Sequence, residues 1–485
     1  MTDHVDVLIV GAGLSGIGAA WRLQQEHPGR SYVILEARDT IGGTWDLFRY
    51  PGVRSDSDMF TLSYPFRPWK GEKSMADGPS IRQYIRDTAD EAGITKNIRF
   101  GTKVTGASWS SERAQWTVET SGGEYTADFV YACAGYYDYD RGYLPDFPGR
   151  EDFAGTFVHP QFWPEDLDHA GKRVVVIGSG ATAVTLVPAM AETAQHVTML
   201  QRSPSYITVL PAVDKLAETL RRRLPAKAAY RLTRVKNIAL TQFFYQLARR
   251  RPDRVKRLLR GFAVKRLNGD EAYVDAHFTP RYEPWDQRLC VVPDGDLFSA
   301  ITSGKAEVVT DTIERFVPEG IRLTSGRVLP ADVVVSATGL TLRAVGGMKL
   351  TVDGAEVDPA GRVAYRGLML SGVPNFAFCI GYTNASWTLR SDLCARYVCR
   401  LLSFMDKNRY AIATPHPDPS GPLRPLLSLT SGYVQRALDS FPKQGERDPW
   451  SVKQNYVHDA LRSPRADLRR DMTFGRRPAR VGASA

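Results

Sequence analysis

Residues Asp6–Gly16 read DVLIVGAGLSG and set the pattern for the rest of the chain. The run Asp6–Val10 has strand character, glycines take the first, third and sixth places of the turn that follows, and a helical stretch extends to about Gln25. A second apolar run, Tyr32–Leu35, ends at Glu36. A strand, a Gly-x-Gly-x-x-Gly turn, a helix and a second strand predict the first half of a Rossmann-type unit.

The turn and Glu36 together predict what this unit binds. Glycines let the backbone approach a pyrophosphate at the helix N-terminus, where unpaired N–H groups attract anions. Glu36, 25 residues after the first glycine, would accept hydrogen bonds from free ribose hydroxyls and repel a 2′-phosphate. The unit therefore favours the adenosine of FAD or NAD. Its predicted contacts are Gly11, Gly13, Ser15, Gly16 and Glu36.

The pattern recurs at Arg173–Ala183, RVVVIGSGATA, followed by a helical stretch and the strand His196–Leu200. Arg202 now takes the place that Glu36 has in the first unit. A guanidinium can hold a 2′-phosphate through two hydrogen bonds, and the Ser203 hydroxyl adds a donor. We therefore expect FAD at the first site and NADPH at the second, in an α/β fold with two Rossmann-like dinucleotide-binding domains. The predicted contacts of the second site are Ser179, Gly180, Ala181, Thr182, Arg202 and Ser203.

A loop crowded with glycine, proline and aromatic residues runs from Gly42 to Asp56 and contains GGTWD, RYPG and RSD. A flavin ring could lie against such a loop just after an adenosine site, and a packed surface loop fits the residues equally well. Alternating runs between Ile98 and Ala132 predict a strand meander over the first unit. Candidate cofactor contacts in these segments are Thr44, Trp45, Asp46, Arg54, Asp56 and Val104.

The composition is that of an ordinary globular protein, with 485 residues, 43% hydrophobic and 24% charged, enough for two or three domains. Five cysteines without zinc-type spacing favour free thiols in a reducing compartment, and no metal site is expected. We see neither a signal-peptide pattern nor an apolar run of bilayer length. The expected location is therefore the cytoplasm.

Positive charge is concentrated in one segment. Residues 214–266 hold 17 Lys and Arg against three acids, a balance of +14, whereas the whole chain carries +10. The helical spacing of Lys215–Arg266 predicts an all-helical insertion in the second nucleotide domain, which we call the basic insertion. It can be a solvated helical face, the commoner case, or a peripheral contact with the inner face of a membrane. We expect no nucleic-acid partner.

Two further motifs carry a family resemblance. F-x-G-x3-H-x3-W-P at Phe153–Pro164 and G-G-x-W-x4-Y-P-G-x3-D at Gly42–Asp56 both match fingerprints of the type I Baeyer–Villiger monooxygenases. RYPGVRSDSDM, HPQFWPEDLD, PWDQRLC and GYTNASWTL extend the resemblance, most closely to mycobacterial members, over nearly the whole chain. Related flavin-containing monooxygenases and N-hydroxylases lack the tryptophan found here at Trp163.

The resemblance implies an FAD- and NADPH-dependent enzyme that inserts one oxygen of O2 beside a ketone carbonyl through a C4a-peroxyflavin. The product would be an ester or lactone, and sulfides or thioamides would be further substrates. The resemblance assigns Arg288 as the catalytic cation and Asp56 as the residue that holds it. Gln287 stands where many members have lysine, so selection of NADPH would rest more on Arg202. Substrate identity and oligomeric state stay open.

The same reasoning divides the chain into five parts. We expect FAD-binding residues at 1–145, the fingerprint with the first NADP-binding part at 146–209, the helical insertion at 210–284, the second NADP-binding part at 285–340, and the return to the FAD domain with a basic tail at 341–485. In the last part we expect a strand at Phe376–Ile380, a helix to about Asn408 capped by Ser386 or Asn384, and a loosely ordered tail after Ser463.

Three other interpretations remain. A flavin-dependent N- or S-monooxygenase without ketone activity would share both nucleotide sites. A disulfide reductase would use Cys394 and Cys399, although their place in mid-helix favours packing. A non-catalytic nucleotide sensor would bind membrane or nucleic acid through the basic insertion. The segment Phe153–Pro164 is expected to be neither helix nor strand, and to act as a hinge and latch between the two sites.

Overall fold

The structure is a computed structural model that describes residues 3–416 and 421–477. Its α-helices are α1 (Leu14–Glu26), α2 (Thr44–Leu47), α3 (Met59–Leu62), α4 (Gly78–Glu91), α5 (Ala181–Met190), α6 (Lys215–Arg223), α7 (Ala226–Arg250), α8 (Pro252–Arg266), α9 (Glu271–His277), α10 (Asp296–Thr302), α11 (Trp387–Asn408), α12 (Gly432–Gln435) and α13 (Tyr456–Arg462). Single 3-10 turns lie at Thr95–Asn97, Arg150–Asp152, Pro160–Phe162, Ala344–Gly347, Pro359–Gly361, Leu438–Ser440 and Ser463–Arg465.

The strands are β1 (Asp3–Val10), β2 (Tyr32–Leu35), β3 (Ile98–Arg99), β4 (Val104–Ser110), β5 (Gln115–Thr120), β6 (Gly123–Ala132), β7 (Tyr137–Gly142), β8 (Thr156–Val158), β9 (Arg173–Ile177), β10 (His196–Gln201), β11 (Ile207–Leu210), β12 (Cys290–Pro293), β13 (Ala306–Thr310), β14 (Ile313–Val317), β15 (Gly320–Leu323), β16 (Val328–Pro330), β17 (Val333–Ser336), β18 (Leu340–Leu342), β19 (Lys349–Val352), β20 (Ala355–Val357), β21 (Ala364–Tyr365), β22 (Met369–Leu370), β23 (Phe376–Phe378), β24 (Ile412–Pro415), β25 (Arg424–Pro425), β26 (Lys443–Gln444) and β27 (Met472–Gly475).

The first sheet is built around β1. Strands β3, β2, β1, β6 and β23 lie side by side and parallel. Side chains of β1 alternate between two packed layers: Val7 and Ile9 pack with α1, α4 and α11, and Leu8 and Val10 pack with the meander β4–β6. The predicted meander over the first unit is confirmed. Strand β6 belongs to both layers, because it pairs with β1 and with β5.

The second sheet repeats the arrangement, with β13, β10, β9, β17 and β8 all parallel. The two parallel sheets confirm the predicted α/β fold with two Rossmann-like units. The expectation that Phe153–Pro164 contains no strand is wrong, because Thr156–Val158 is the edge strand β8. Three residues are too few to show the alternation that predicts a strand, and pairing with β17 decides their conformation.

The basic insertion is helical, as predicted. It forms α6, α7 and α8, separated only at residues 224–225 and 251. The inner side of α7 buries Tyr230 and Arg234, whose side chains bond to the segment around α3. Within residues 3–416 and 421–477, none of the helices combines the length and the apolar character that crossing a membrane requires.

Two predictions about the last part of the chain need correction. The tail after Ser463 is not loose as far as residue 477, because β27 pairs antiparallel with β24; its last eight residues, 478–485, lie outside the described residues. Ser386 stands at the N-cap of α11, but its hydroxyl pairs with Thr61 Oγ1 at 2.6 Å and caps no backbone N–H. Asn384 instead donates to the Gln454 carbonyl at 2.8 Å.

Candidate active site

A cavity of about 1070 Å³ lies between the two glycine-rich turns and reaches the carboxyl ends of both parallel sheets. Most predicted site residues line it, although they come from distant parts of the chain. They are Gly11, Gly13, Ser15, Glu36, Thr44, Trp45, Arg54, Asp56, Val104, Ser179, Gly180, Ala181, Thr182, Arg202, Ser203 and Arg288. Two predicted contacts, Gly16 and Asp46, lie behind the cavity wall.

The first turn is tightly closed. Gly11 adopts a φ of +100° and donates its N–H to the Leu35 carbonyl at 2.8 Å. A Cβ on Gly16 would fall 1.8 Å from the Gly11 carbonyl oxygen, so only glycine fits there. The buried Glu36 carboxylate accepts N–H bonds from Ala12 at 2.7 Å and Arg38 at 2.9 Å. Burial raises the pKa of Glu36.

Two helices begin at the cavity without side-chain caps. Gly13 is the N-cap of α1 and Gly180 is the N-cap of α5, and neither helix has an acid in its first turn. Both helices therefore present unpaired N–H groups and the positive end of a dipole to the cavity. This arrangement suits the pyrophosphates of two dinucleotides.

Asp46 anchors the loop behind the first turn. Its buried carboxylate contacts Arg38 at 2.6 Å, Arg82 at 3.1 Å and Arg49 at 3.5 Å. Burial opposes its ionisation, but the arginine hydrogen bonds outweigh that effect and lower its pKa. Asp46, predicted to contact the cofactor, thus lies outside the cavity lining and fixes the loop through its arginine partners.

The second turn is more open than the first. Gly178 has a φ of +137°, and a Cβ there would fall 2.4 Å from the Ala337 carbonyl oxygen, whereas a Cβ on Gly180 would meet nothing within 4 Å. Ser179 Oγ donates to the Ser203 carbonyl at 3.1 Å, which joins the turn to the segment after β10. The exposed Arg202 lines the cavity at that edge. A turn held by Ser179 and an exposed cation suit a phosphorylated ribose.

Asp56 and Arg288, 232 positions apart, meet in the cavity wall. The guanidinium donates from Nε to Oδ2 at 2.6 Å and from Nη2 to Oδ1 at 2.7 Å. Nη1 donates to the Thr383 carbonyl at 3.2 Å, next to the start of α11. Burial opposes the charge, but Asp56 outweighs it and raises the pKa of Arg288 above its usual range. Asp56 therefore holds Arg288 in a fixed orientation as a guanidinium that stays protonated.

The loop that carries Arg288 is held by the basic insertion. Asp286 binds Arg249 of α7 at 2.6 Å, and Glu283 binds Lys256 of α8 at 2.6 Å. Between them Trp285 has a φ of +72°, a conformation that costs on the order of 1 kcal/mol for a residue other than glycine. The ion pairs on both sides of Trp285 hold the loop in this conformation.

Aromatic side chains around Arg288 were not predicted from the sequence. Tyr136, Tyr137 and Tyr433 line the cavity, and burial raises their pKa values, so their hydroxyls are protonated at neutral pH. The ring centroids of Trp387 and Tyr136 lie 5.1 Å apart, and Trp387 Nε1 donates to Ser15 Oγ at 2.8 Å. The sequence feature that could have identified Tyr136 and Tyr137 as cavity residues is their position soon after the end of β6.

The loop Arg49–Asp56 also joins the two halves of the molecule, which are built on the first and the second parallel sheet. Arg54 forms a bidentate ion pair with Asp296 of α10, at 2.5 and 3.2 Å. A Cβ on Gly52 would fall 2.7 Å from that of Ala189 and 2.9 Å from the Thr185 carbonyl oxygen, so the loop packs directly on α5. Arg54 was predicted to bind cofactor. In this structure its guanidinium pairs with Asp296, which belongs to the second half of the molecule.

The fingerprint segment, Phe153–Pro164, lies against the connections between the halves. Strands β7 and β18, which carry the chain out of the first half and back into it, pair with each other. Gln161 Nε2 donates to the Asp138 and Tyr139 carbonyls at 2.8 and 3.1 Å. The His159 ring covers Gly142, where a Cβ would fall 2.2 Å from its Cε1 atom. Burial lowers the pKa of His159, which keeps the ring neutral.

Cys394 and Cys399 are free and buried within α11. Burial raises the pKa of Cys399, and that of Cys394 is also raised, chiefly by its hydrogen bond with Cys379. Such thiols lack the exposed thiolate that disulfide exchange needs. The expectation that they are packing residues agrees with their placement.

The chain is similar to known proteins over most or all of its length. The family model described as pyridine nucleotide-disulphide oxidoreductase matches residues 8–242, a range that excludes Cys394 and Cys399. The FAD-containing monooxygenase EthA of Mycobacterium tuberculosis strain H37Rv is 52% identical over 490 residues, covering 99% of this chain and 100% of the relative. EthA of Mycolicibacterium smegmatis is 53% identical over 494 residues, covering 100% of both chains.

Solved structures share the fold. An oxidised steroid monooxygenase bound to NADP superposes with a TM-score of 0.76 at 23% identity, over 98% of this chain and 100% of that one. Cyclohexanone monooxygenase with bound ε-caprolactone gives a TM-score of 0.75 at 20% identity, with the same coverage. At these identities the likeness establishes the fold alone, and the full-length relatives establish the family. The chain belongs to the family of FAD-containing monooxygenases.

Proposed function

We propose that this protein is an NADPH-dependent Baeyer–Villiger monooxygenase that converts a small-molecule ketone and O2 into an ester or lactone. The observation that carries the proposal is the Asp56–Arg288 pair, which lies in the same cavity as both dinucleotide turns. Bound FAD, reduced by NADPH, would supply the activation of O2. The remaining requirements of the reaction would be met by residues that bind and orient the cofactors and the substrate and that place charge in the cavity.

The first turn would hold FAD, and the second would hold NADPH. The uncapped N-termini of α1 and α5 fit two pyrophosphates, Glu36 fits an unphosphorylated ribose, and Arg202 fits a 2′-phosphate. Gln287 also lines the cavity and carries no charge. Discrimination between NADPH and NADH would therefore depend mainly on Arg202.

Arg288 would stabilise negative charge as it develops on the reacting oxygen. A guanidinium held by two hydrogen bonds needs no reorganisation during the reaction, which is the condition for electrostatic catalysis. Asp56 keeps the cation oriented, and the Thr383 carbonyl directs the third nitrogen. An anionic oxygen attacks a ketone carbonyl, whereas a protonated one reacts with soft nucleophiles such as sulfides. The fixed cation therefore favours ketone chemistry over sulfur oxidation alone.

We infer the domain organisation from the contacts of the described residues. The parts 1–145 and 341–485 form the FAD half, since β19 and β23 return to the first sheet and α11 packs on α1. The parts 146–209 and 285–340 form the NADP half, interrupted by the insertion 210–284. The fingerprint segment lies on the paired connections β7 and β18, which supports its assignment as hinge and latch.

Replacing Arg288 by alanine tests the proposed function directly. With a cyclic ketone and NADPH, the wild-type protein should form a lactone that mass spectrometry detects. The Arg288→Ala protein should retain FAD and allow flavin reduction by NADPH, yet form product at least about 100-fold more slowly. Asp56→Asn, which keeps the cation but weakens its orientation, should lose less.

The matched control is Arg113→Ala, which removes an exposed arginine outside the cavity and should leave product formation unchanged. A wild-type protein that oxidises a sulfide but forms no lactone from any ketone would contradict Baeyer–Villiger activity. It would favour an N- or S-monooxygenase. Lactone formation that survives Arg288→Ala would show that Arg288 is not the catalytic cation.

A further inference from the structure

The basic insertion exposes an unusual concentration of large apolar side chains. Of the fifteen that are exposed in the described residues, eight lie between residues 214 and 266. Val235 and Phe243 are the most exposed, at 65% and 66%. The others are Leu216, Leu224, Leu232, Leu240, Leu258 and Phe262. Single exposed apolar residues are common in proteins, but a group of this size in one segment indicates a binding surface.

On α7 these side chains form one stripe. Leu232, Val235, Ala239 and Phe243 are all exposed and follow one another at intervals of three and four residues, which places them on one face of the helix. The opposite face carries the buried residues Ala229, Tyr230, Thr233 and Arg234. The stripe therefore points away from the body of the protein.

The inner face of α7 is firmly anchored. Arg234 Nη1 donates to the carbonyls of Phe60 and Ser63 at 2.6 and 2.9 Å, and the Tyr230 hydroxyl donates to the Tyr64 carbonyl at 3.0 Å. These carbonyls lie in and just after α3, so a cation stabilises its C-terminal end. The outer stripe is thus displayed on a rigid helix, and exposing it requires no unfolding.

Cations surround the apolar residues. Four basic side chains of the insertion, Lys236, Arg249, Lys256 and Arg260, have carboxylate partners. Within residues 3–416 and 421–477 the remaining exposed ones have none, and they lie on all three helices or at their ends. They are Lys215, Arg222, Arg223, Lys227, Arg231, Arg250, Arg251, Arg254, Arg257, Lys265 and Arg266.

We propose that the outward face of α6–α8 binds the surface of an anionic lipid bilayer. The apolar stripe enters the headgroup region, and the surrounding lysines and arginines pair with lipid phosphates. With 25 residues at about 1.5 Å each, α7 is long enough to lie in the plane of such a surface over about 37 Å. The eleven exposed lysines and arginines named above provide the charge complementarity.

The same features disfavour two other occupants. A second copy of the chain would place two basic surfaces against each other, and their repulsion opposes association. A nucleic acid would use the cations, but it offers no apolar layer for a stripe of leucine, valine and phenylalanine. A bilayer with anionic headgroups provides a partner for both kinds of side chain.

Vesicle sedimentation of the full-length, FAD-loaded protein tests the proposal. The protein should partition onto vesicles of phosphatidylcholine containing roughly one-third phosphatidylglycerol, and at least about tenfold more weakly onto phosphatidylcholine alone. Added salt should weaken binding without abolishing it, because the apolar contribution is not screened. Equal binding to both vesicle types, or no binding at low salt, would overturn the proposal.

Two variants separate the contributions of the surface. Val235→Gln with Phe243→Gln removes the two most exposed apolar side chains, and Arg222→Glu, Arg223→Glu and Lys227→Glu together reverse three cations. Each should reduce partitioning at least about fivefold while NADPH oxidation and thermal unfolding stay unchanged. None of these residues lines the nucleotide cavity.

Matched controls lie on other exposed parts of the chain. Val457→Gln with Leu461→Gln removes an exposed apolar pair at i and i+4 on α13, and Arg113→Glu, Lys305→Glu and Arg322→Glu reverse three exposed cations elsewhere. Both controls should bind vesicles like the wild type. If the charge variant loses binding but the glutamine pair does not, the surface binds polyanions and not a bilayer. If the glutamine pair converts a dimer into a monomer in analytical ultracentrifugation, a second copy is the occupant.

Discussion

The two glycine-rich turns share one backbone plan and differ in how closely it is packed. In the first turn the sixth position is Gly16, and a Cβ there would lie 1.8 Å from the Gly11 carbonyl oxygen. In the second turn the same position holds Ala183, buried without conflict. The loop at Gly43 also covers the first turn, since a Cβ on Gly13 would lie 3.5 Å from the Gly43 Cα atom. In the second turn Gly180 is exposed, and a Cβ placed there would meet nothing within 4 Å.

Charge differs in the same way as packing. Glu36 is buried and bonded to its own turn, whereas Arg202 is exposed at the cavity edge. A closed site suits a nucleotide that stays bound, and an open site suits one that must leave after each turnover. One supersecondary unit can therefore serve both purposes, depending on the loop above it and the residue after its second strand.

The largest expected effect comes from placing a methyl group in the closed turn. Gly16→Ala should destabilise the FAD half by about 3 kcal/mol or more, because the backbone around Gly11 must move. We expect protein with little bound flavin and a lower melting temperature, measured by visible absorbance and thermal unfolding. Ala183→Gly, the matched change in the open turn, should retain flavin. If both variants retain FAD equally, the difference in packing between the two turns does not determine FAD binding.

Reversing the charge at the open site should give the next largest effect. Arg202→Glu should raise the KM for NADPH by roughly 10- to 100-fold, because a charge-assisted bond to phosphate is replaced by repulsion. The KM for NADH should change by less than about threefold, so steady-state kinetics with both nucleotides measures the switch. Arg327→Glu, at an exposed arginine outside the cavity, is the control. Unchanged preference for NADPH would place the 2′-phosphate elsewhere.

Truncating the His159 side chain tests whether the segment Phe153–Pro164 acts as a hinge and latch between the two sites. His159→Ala should slow turnover by about tenfold, since the ring that packs on Gly142 beside the paired connections would be lost. Titration with each nucleotide should show that FAD and NADPH still bind. Loss of FAD from this variant would indicate a role in the first site and contradict the assignment as hinge and latch.

The smallest expected effect concerns the buried carboxylate of the closed site. Because burial raises the pKa of Glu36, the folded protein is penalised as the pH rises through that pKa, and the penalty is absent at low pH, where the carboxyl is protonated. Glu36→Gln has no such dependence. Without bound nucleotide, its unfolding free energy should exceed that of the wild type by up to about 1 kcal/mol at neutral pH and converge with it in acid.

Chemical denaturation at several pH values measures the effect of Glu36→Gln. The FAD affinity of the variant should fall only a few-fold, since the amide oxygen can still accept the Ala12 N–H bond that the carboxylate accepts at 2.7 Å. A stability difference that is the same at every pH would show that the charge of Glu36 does not matter in the folded protein.

What the sequence predicted well is what short-range patterns determine. Each strand–turn–helix unit is encoded within about thirty residues, so the identities of Glu36 and Arg202 could be related to the turns before them. The contact between Asp56 and Arg288 was predicted only through family resemblance, because 232 residues separate them. Asp46 was predicted to touch a ligand because it lies in the right loop, and only the fold reveals the arginines around it.

What escaped prediction depends on partners that are distant in the chain. Strand β8 has three residues and is defined by pairing with β17, and β27 depends on β24 in the same way. Tyr433 enters the cavity from a segment with no recognisable motif, and Arg54 turns toward Asp296 because α10 is placed beside it. Such contacts follow from how the sheets and helices are assembled, and local secondary-structure propensity does not predict them.

The ion pairs Arg249–Asp286 and Lys256–Glu283 give the outer helices a mechanical connection to Arg288. Through these pairs α7 and α8 contact the loop that carries Arg288, although no residue of either helix lines the cavity. Under the proposed function, residues far from the chemistry would help to set how many reducing equivalents end in product and how many are lost as peroxide. Selection could tune that ratio without altering a single residue in the nucleotide sites.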